Sequence, residues 1–145
     1  MRYLMFVLAD ARSEAGSMPT QQELADMTAF NQQLVDAGVM LEGEGLAPTS
    51  EGARVTFDAN NVPTVTDGPF TDATDIVAGY WVIDVPSRTE AIEWARRAPL
   101  GPGGRIEIRR VFTDEDFGDA LTPEIRQAEA RMRDAEARRR EELAH

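Results

Sequence analysis

Asp67-Gly68-Pro69-Phe70 separates a short hairpin from a strongly apolar strand, and the predicted fold follows from this division. Before it, residues 53–57 (ARVTF) and 62–66 (VPTVT) flank a turn at residues 58–61, which is typical of a two-stranded hairpin. After it, residues 79–85 (GYWVIDV) form an apolar run of strand-favouring residues. The tetrapeptide therefore marks a turn that leads from an inserted hairpin into a buried strand.

The four residue types of this tetrapeptide all suit a rigid turn. We expect the carboxylate of Asp67 to accept hydrogen bonds from the amides beyond the turn, and Gly68 to permit a positive φ. Pro69 restricts the backbone, while the ring of Phe70 anchors the loop in apolar surface. A second interpretation stays open, in which Asp67 faces a pocket as a base or a ligand contact.

Outside this region the hydrophobic pattern alternates between strands and helices. The predicted elements are a strand (2–9), a helix (19–37), a strand (39–46), the hairpin, a strand (79–85), a helix (87–97) and a strand (105–112). This order predicts an α+β fold, a ferredoxin-like β-α-β-β-α-β sandwich with an inserted β-hairpin and both helices on one face of the sheet.

The strand at residues 39–46 holds two glycines. Strict alternation places Met40, Glu42 and Glu44 on one face, and Gly43 and Gly45 on the other. Glycines inside a strand predict a bulge or the close approach of another backbone.

Composition limits the class of protein. The chain has 145 residues, no cysteine and a net charge of −11 at pH 7, so we expect one core domain and a cytoplasmic location. An acidic surface repels nucleic acid and anionic membranes, and no apolar run is long enough to span a bilayer. We therefore expect no nucleic-acid partner and no membrane partner.

The last residues differ from the rest in charge. Residues 122–145 carry six arginines and six acidic residues, so the net negative charge lies in the preceding part. Apolar residues recur in this tail at helical spacing, at Ile125, Ala128, Met132 and Ala135. We expect one domain over residues 1–112 and a charged helical extension over residues 113–145.

Histidine and cysteine nucleophile chemistry is excluded, since His145 is the last residue and cysteine is absent. The acidic residues Asp67, Asp72 and Asp75 have the chemistry of a hard-cation site, but their spacing does not match a calcium loop. Carboxylates in turns more often cap backbone amides, so we expect no metal and no cofactor.

The last predicted strand carries charges on one face. If its isoleucines pack on the helices, its alternate residues face the open side of the sheet. The charged residues expected there are Arg105, Glu107 and Arg109, with Glu42 and Glu44 from another strand. Since residues 1–112 supply no second helical layer, we expect a second subunit to cover this face. The charges then either form ion pairs that seal the dimer or orient a small ligand inside it.

Several motifs together resemble the YCII-related proteins, and specifically their DGPF-motif branch. The motifs are Gly43-Glu44-Gly45-Leu46, Asp67-Gly68-Pro69-Phe70, Gly79-Tyr80, and Glu93-Trp94-Ala95 with Gly104, Glu107 and Arg109. The resemblance covers residues 1 to about 112. It implies a ferredoxin-like fold that assembles as a dimeric α+β barrel.

For function, the resemblance implies small enzymes that use a His and Asp pair in a cleft. It also implies, for the DGPF branch, genes that lie beside those of extracytoplasmic-function sigma factors. This chain departs at both positions of the pair, because the first helix has no histidine near Phe30 and Ala98 stands before Pro99. A His–Asp mechanism is therefore not expected.

Two functional hypotheses follow. In the first, a homodimer encloses a cleft for a small organic molecule, and any chemistry is cofactor-free acid/base catalysis such as isomerisation or cyclisation. The residues assigned catalytic roles are Asp67 or Glu107 as base, Tyr80 as acid and Arg109 as anion holder, and the ligand contacts are Glu44, Asp67, Phe70 and Arg105. In the second, the chain is a non-catalytic regulatory or interaction protein linked to an extracytoplasmic-function sigma factor.

Overall fold

The computed structural model describes residues 1–71 and 74–145. The chain divides into two compact units, Met1–Val111 and Phe112–His145. Within the described residues, the helices are too short or too polar to cross a membrane.

The first unit is a mixture of strands and helices. Its strands are β1 (Arg2–Leu8), β2 (Met40–Gly45), β3 (Ala53–Phe57), β4 (Pro63–Asp67), β5 (Val77–Asp84) and β6 (Ile106–Arg110). Its helices are α1 (Ala11–Glu14), α2 (Gln21–Asp36) and α3 (Arg88–Arg96), with a 3-10 turn at Thr49–Glu51. The short helix α1 and the 3-10 turn had no counterpart among the predicted elements.

Four of these strands form an antiparallel sheet in the order β2-β5-β1-β6, and β3 pairs with β4 in a separate sheet. This order is consistent with a ferredoxin-like fold in which the hairpin of β3 and β4 is inserted between β2 and β5. The predicted α+β class with antiparallel sheets is confirmed.

Polar side chains cap the two long helices of this unit. The Thr20 hydroxyl accepts a hydrogen bond from the Glu23 amide at the start of α2, and the Ser87 hydroxyl accepts one from the Glu90 amide at the start of α3. After α2, Gly38 has a φ of 71°, which favours glycine and ends the helix. These residues fix where α2 begins and ends and where α3 begins.

One face of the four-stranded sheet carries the core. Its buried residues are Tyr3, Met5, Trp81, Ile83 and Val85 from the strands and their ends, and Phe30, Leu34, Ala91 and Trp94 from α2 and α3. The Trp81 ring meets the edge of Phe30, with centroids 5.4 Å apart, and its Nε1 donates to Oδ1 of Asn31 at 2.8 Å. Because side chains alternate along a strand, the neighbours of these core residues lie on the other face.

A bulge changes the direction of one residue in β2. Met40 pairs with Ile83 and Glu42 with Val82, so two steps along β2 match one step along β5. Met40 therefore packs against the core, whereas Leu41 is 55% exposed. The prediction that Met40 shares a face with Glu42 is wrong, while the bulge that the glycines predicted is present.

The hairpin of β3 and β4 is exposed along its whole length. Val55 lies opposite Val65, and Phe57 opposite Pro63, so these apolar side chains share one face. The exposed fractions of Val55, Phe57 and Val65 are 51%, 63% and 65%. A two-stranded sheet is only marginally stable by itself. The position of this hairpin therefore depends on contacts at the end where β3 begins and β4 ends.

The second unit contains 3-10 turns within Asp114–Ala120 and the helix α4 (Pro123–Leu143). The Asp114 carboxylate lies 3.6 Å from the guanidinium groups of both Arg126 and Arg133, which ties the turns to α4. The charged C-terminal helix that the sequence predicts is confirmed.

Candidate functional site

The open face is the side of the four-stranded sheet that α2 and α3 do not cover, and two rows of side chains in register cross it. The first row contains Glu44, Tyr80, Phe6 and Glu107, and the second contains Glu42, Val82, Leu4 and Arg109. The four side chains on the central strands are half-buried, and the four at the row ends are exposed. The open face thus has a largely apolar centre with charged groups at its ends.

Tyr80 and Glu42 interact at one end of the open face. The Tyr80 hydroxyl donates a hydrogen bond to Oε1 of Glu42 at 3.1 Å. This bond is the main reason that the pKa of Tyr80 is raised, with desolvation and the charges of Glu42 and Glu44 adding to it. At neutral pH the phenol therefore keeps its proton and acts as a hydrogen-bond donor more readily than as a general acid.

The charged residues at the other end of the open face pair with each other. On β6, Nη1 of Arg109 lies 3.5 Å from Oε2 of Glu107, and both side chains are exposed. An exposed pair of this kind contributes only about 0–1 kcal/mol to stability. A ligand that offers an anion to Arg109 can therefore replace the pair at small cost.

Arg105 precedes β6 and is engaged with a loop. Its guanidinium donates to the Asp75 carboxylate at 2.8 Å and to the Thr74 carbonyl at 3.2 Å. These two bonds direct the positive charge of Arg105 toward the loop before β5.

Asp67 and Phe70 also lie apart from the open face. Asp67 is the last residue of β4 in the two-stranded sheet, opposite Ala53, and it is exposed. Phe70 is half-buried, and the guanidinium carbon of Arg54 lies 4.1 Å from its ring centroid. The open face thus brings together four of the predicted site residues, which are Glu44, Tyr80, Glu107 and Arg109. The remaining three, Asp67, Phe70 and Arg105, lie outside these two rows.

Thr49 holds the turn that begins at Asp67. Its hydroxyl accepts a hydrogen bond from the Phe70 amide at 3.0 Å and donates to Oε2 of Glu14 at 2.6 Å. The Thr49 amide donates to the other oxygen of Glu14 at 3.0 Å. The Phe70 amide is therefore bound by Thr49 and not by Asp67.

Gly68 is required for a close approach between two stretches of backbone. Its φ is not in the positive range that the sequence analysis expected, and its peptide bond to Pro69 is cis. A Cβ placed on Gly68 would overlap the carbonyl oxygen of Thr49. Only glycine allows this contact. It places the turn against the segment around Thr49, to which Glu14 is also hydrogen-bonded.

Two cavities of the first unit border predicted site residues. A cavity of about 490 Å³ lies between α1 and the loop after β4, and Phe70 lines it together with Asp10 and Glu14. The pKa of Asp10 is lowered, chiefly because its carboxylate accepts a hydrogen bond from the Ser13 amide at the start of α1. Asp67 does not line this cavity.

The other cavity has a volume of about 380 Å³ and lies between α2 and the helix-covered face of the sheet. Its lining residues are Val7, Pro19, Met27, Asn31, Gly43, Glu44, Gly45, Ala78, Gly79, Tyr80 and Trp81. Sequence analysis missed this cavity. The sequence feature that could have predicted the cavity is the recurrence of glycine at positions of β2 and β5 that face the helices. These glycines remove side chains from one corner of the sheet.

Two of the three aspartates considered as a cation site lie in the described residues. The Asp75 carboxylate is bound by Arg105, and Asp67 ends β4, whereas Asp72 lies outside the described residues. Within residues 1–71 and 74–145, no three His, Cys, Asp or Glu side chains are grouped so as to hold a metal ion.

The contact between Tyr80 and Glu42 predicts a pH dependence. A raised pKa means that folding favours the neutral phenol, so this stabilisation is present below the ordinary tyrosine pKa of about 10 and is lost as the pH rises through the raised value. Glu42→Ala should lower the pKa of Tyr80 toward its ordinary value. The pKa of Tyr80 is measured from the ultraviolet absorbance of the phenolate as the pH is raised, with the Tyr80→Phe variant as the baseline. A matched Glu93→Ala variant on α3 should leave this pKa unchanged, and an unchanged value in Glu42→Ala would contradict the assignment.

The close approach at Gly68 predicts a stability difference between two glycines. Gly68→Ala should lower the free energy of unfolding by about 1–3 kcal/mol, because its Cβ overlaps the Thr49 carbonyl. Gly52→Ala is the control, since its Cβ would lie 3.5 Å from the same oxygen, an ordinary contact. Urea denaturation measures both variants, and hydrogen exchange of the Phe70 amide reports local opening. Equal stability and equal exchange in the two variants would contradict the packing described for this turn.

Comparison with known proteins assigns the chain to a family. An uncharacterized protein of Rhizobium meliloti (strain 1021) is 30% identical to it over 76 residues, which are 52% of this chain and 60% of that protein. The chain thus matches less than two thirds of the length of that relative. The YCII-related domain matches residues 1–115, which include all six strands and every residue of the open face. Because this match covers well over half of the sequence, the chain belongs to the family of YCII-related domain proteins.

Proposed function

We propose that this protein is a small-molecule-binding homodimer of the DGPF-motif branch of its family. The open faces of two copies lie against each other, as in a dimeric α+β barrel, and enclose a cleft. The observation that carries this proposal is the composition of the open face, with apolar residues on its central strands and charged groups at the ends of both rows.

The apolar centre of the open face favours a covered state. Leu4, Phe6 and Val82 are only half-buried in the single chain. Complete burial of a large apolar side chain stabilises by about 1.5–3 kcal/mol relative to exposure. A second copy offers the same surface through a two-fold axis, so one interface covers six such side chains at once.

The polar groups of the open face, which are Tyr80 on β5 and the charged residues at the row ends, supply the means to orient a ligand. Small-molecule sites are mostly apolar with a few placed polar groups, and Tyr80, Glu44 and Arg109 can play this part. Tyr80 donates a hydrogen bond, and Arg109 binds a carboxylate or an enolate oxygen. A small organic molecule with an apolar body and an oxygen-bearing end is the ligand class that these groups favour.

If the ligand is also turned over, the chemistry is acid/base catalysis without a cofactor, of the isomerase or cyclase type. Glu107 then removes a proton, Arg109 stabilises the negative charge that develops, and Tyr80 donates a hydrogen bond to it. Asp67, the alternative base, lies in the hairpin and belongs to neither row of the open face.

A second function rests on the exposed apolar side chains of α4. Ile125 and Met132 are 46% and 56% exposed and lie seven residues apart, which places them on one side of the helix. This stripe favours a role in protein interaction, and the resemblance to the DGPF branch connects it with an extracytoplasmic-function sigma factor. In that case the chain is regulatory and not catalytic.

A charge placed in the open face tests the dimer. Phe6→Glu puts a carboxylate between Tyr80 and Glu107 in the first row, where two copies would bury like charges together. Sedimentation velocity should give a dimer for the natural protein and a monomer for Phe6→Glu. Gln33→Glu, on the exposed side of α2, adds the same charge and should remain a dimer. A natural protein that sediments as a monomer at all concentrations would contradict the proposal.

A ligand screen tests the binding function. Thermal denaturation with a library of small organic acids and ketones should yield compounds that raise Tm, since a ligand at a hundred times its Kd stabilises by about 2.7 kcal/mol. The shift should disappear in Arg109→Ala and persist in Arg96→Ala on α3. Mass spectrometry of the same mixtures detects turnover. If no compound stabilises the dimer, or if Arg109→Ala responds like Arg96→Ala, the site is not on the open face.

A further inference from the structure

We propose a second ligand site on the helix-covered side of the same sheet, for a small, flat, neutral molecule that carries a carbonyl oxygen. The site is the cavity of about 380 Å³ between α2 and the strands, hereafter the glycine cavity. Its volume falls in the range of about 300–1,000 Å³ that is usual for small-molecule sites. Because α2 and the open face lie on opposite sides of the sheet, this proposal does not depend on the dimer.

Glycines form the floor of the glycine cavity. A Cβ on Gly43 would lie 2.7 Å from Cε of Met40 and 3.0 Å from Cδ1 of Trp81, and a Cβ on Gly79 would lie 2.9 Å from the Glu44 carbonyl oxygen. Gly79 is needed because its neighbour is backbone, whereas a side chain at Gly43 would displace the end of Met40 and crowd Trp81. The floor is therefore bare backbone held in a fixed position.

Gly45 differs from the other glycines of the floor. A Cβ placed on it would meet no atom within 4 Å, and its φ is not in the positive range. It lies two residues after Gly43 on β2, so a side chain there would point to the same side of the sheet, into the cavity. The packing of the protein does not require glycine at position 45, whereas an open cavity does.

The walls of the glycine cavity are apolar and include one flat surface. Val7, Met27 and Pro19 contribute apolar groups, and Trp81 contributes its indole. The indole is held in place by Phe30 and by its hydrogen bond to Asn31. A rigid aromatic wall beside bare backbone favours a flat ring as the occupant.

Asn31 supplies the polar group that selects the ligand. Its side chain accepts the hydrogen bond of Trp81 Nε1, and because an indole N–H only donates, the bonded atom must be the amide oxygen. In the part of the chain that the structure describes, Asn31 uses its side chain only in this bond, so its amide nitrogen has two N–H groups to donate. Asn31 also lines the cavity, so these donors favour an acceptor oxygen on the ligand.

The charge around the glycine cavity decides between a neutral and an anionic ligand. Among the described residues, the lining of the cavity contains no arginine that could bind an anion, and the protein carries a net charge of −11 at pH 7. Both disfavour a carboxylate. An amide, lactam or ketone on a flat ring therefore matches the site better than the corresponding acid.

Benzamide and benzoate test this site, since they share a shape and differ in charge. Titration of the full-length protein with benzamide should shift the Trp81 indole N–H and the Asn31 side-chain amide signals in ¹H–¹⁵N spectra, saturably. The Trp94 indole is the internal reference, because it is not part of the cavity wall. Benzoate should bind at least about tenfold more weakly, a difference that corresponds to 1.4 kcal/mol.

Variants separate binding in the cavity from binding elsewhere. Gly45→Leu should abolish the benzamide shifts by filling the cavity, whereas Ala47→Leu adds the same side chain two residues further on, outside the lining, and should preserve them. Asn31→Asp keeps an oxygen for Trp81 but removes the N–H donors and adds a charge, so it should also lose binding. This second variant decides the question if Gly45→Leu fails to fold.

Three results would overturn the proposal. One is the absence of a Trp81 shift up to the solubility limit of benzamide. Another is an equal response of Asn31→Asp and the natural protein. The third is equal affinity for benzamide and benzoate, which would refute the proposed ligand class. None of them affects the open face, which the Arg109 variants test separately.

Discussion

The structure of the first unit depends on a four-stranded sheet that α2 and α3 pack on one face. Trp81 and Phe30 at the centre of that face, with Met5 and Leu34 beside them, fix α2 against β1 and β5. The hydrogen bond from Trp81 to Asn31 satisfies the indole N–H within this apolar layer. Since the pleat sends every second side chain the other way, the same strands necessarily present Leu4, Phe6 and Val82 on the uncovered side.

Tyr80 and Trp81 illustrate how one strand serves both sides of the sheet. Tyr80 bonds to Glu42 on the open face, where charges end each row, and Trp81 bounds the glycine cavity on the covered face. The first environment suits a dimer interface with room for an oriented ligand. The second suits a flat neutral molecule.

Much of the fold could be predicted from the spacing of apolar residues in the sequence. In the strands and in α2 and α3, this spacing reflects which side of each element is buried. The caps at Thr20 and Ser87 and the stop at Gly38 are local features as well, since each residue acts on its own stretch of backbone. The side of the sheet that Met40 faces could not be predicted from alternation. A one-residue bulge leaves the composition of the strand unchanged but moves the residue before it to the other face.

The candidate site was predictable where alternation alone decides it and unpredictable where distant segments meet. Glu44, Tyr80, Glu107 and Arg109 share a face because strand pairing puts them there. The role of Gly68 depends on Thr49, which lies nineteen residues earlier, and the glycine cavity depends on how α2 crosses the sheet. Both features are contacts between segments that are far apart in the sequence, so no local sequence pattern predicts them.

The accessibility of the open face in solution tests the central claim, that a second copy covers it, most directly. The chain has no cysteine, so Leu4→Cys places a single thiol in the second row of the open face, and Gln33→Cys places one on the exposed side of α2. The measurement is the rate at which a bulky maleimide modifies each thiol. If a second copy covers the open face, modification at position 4 should be slow and should accelerate on dilution, whereas the rate at position 33 should be fast and constant. A rate at position 4 that equals that at position 33 and does not depend on concentration would contradict the central claim.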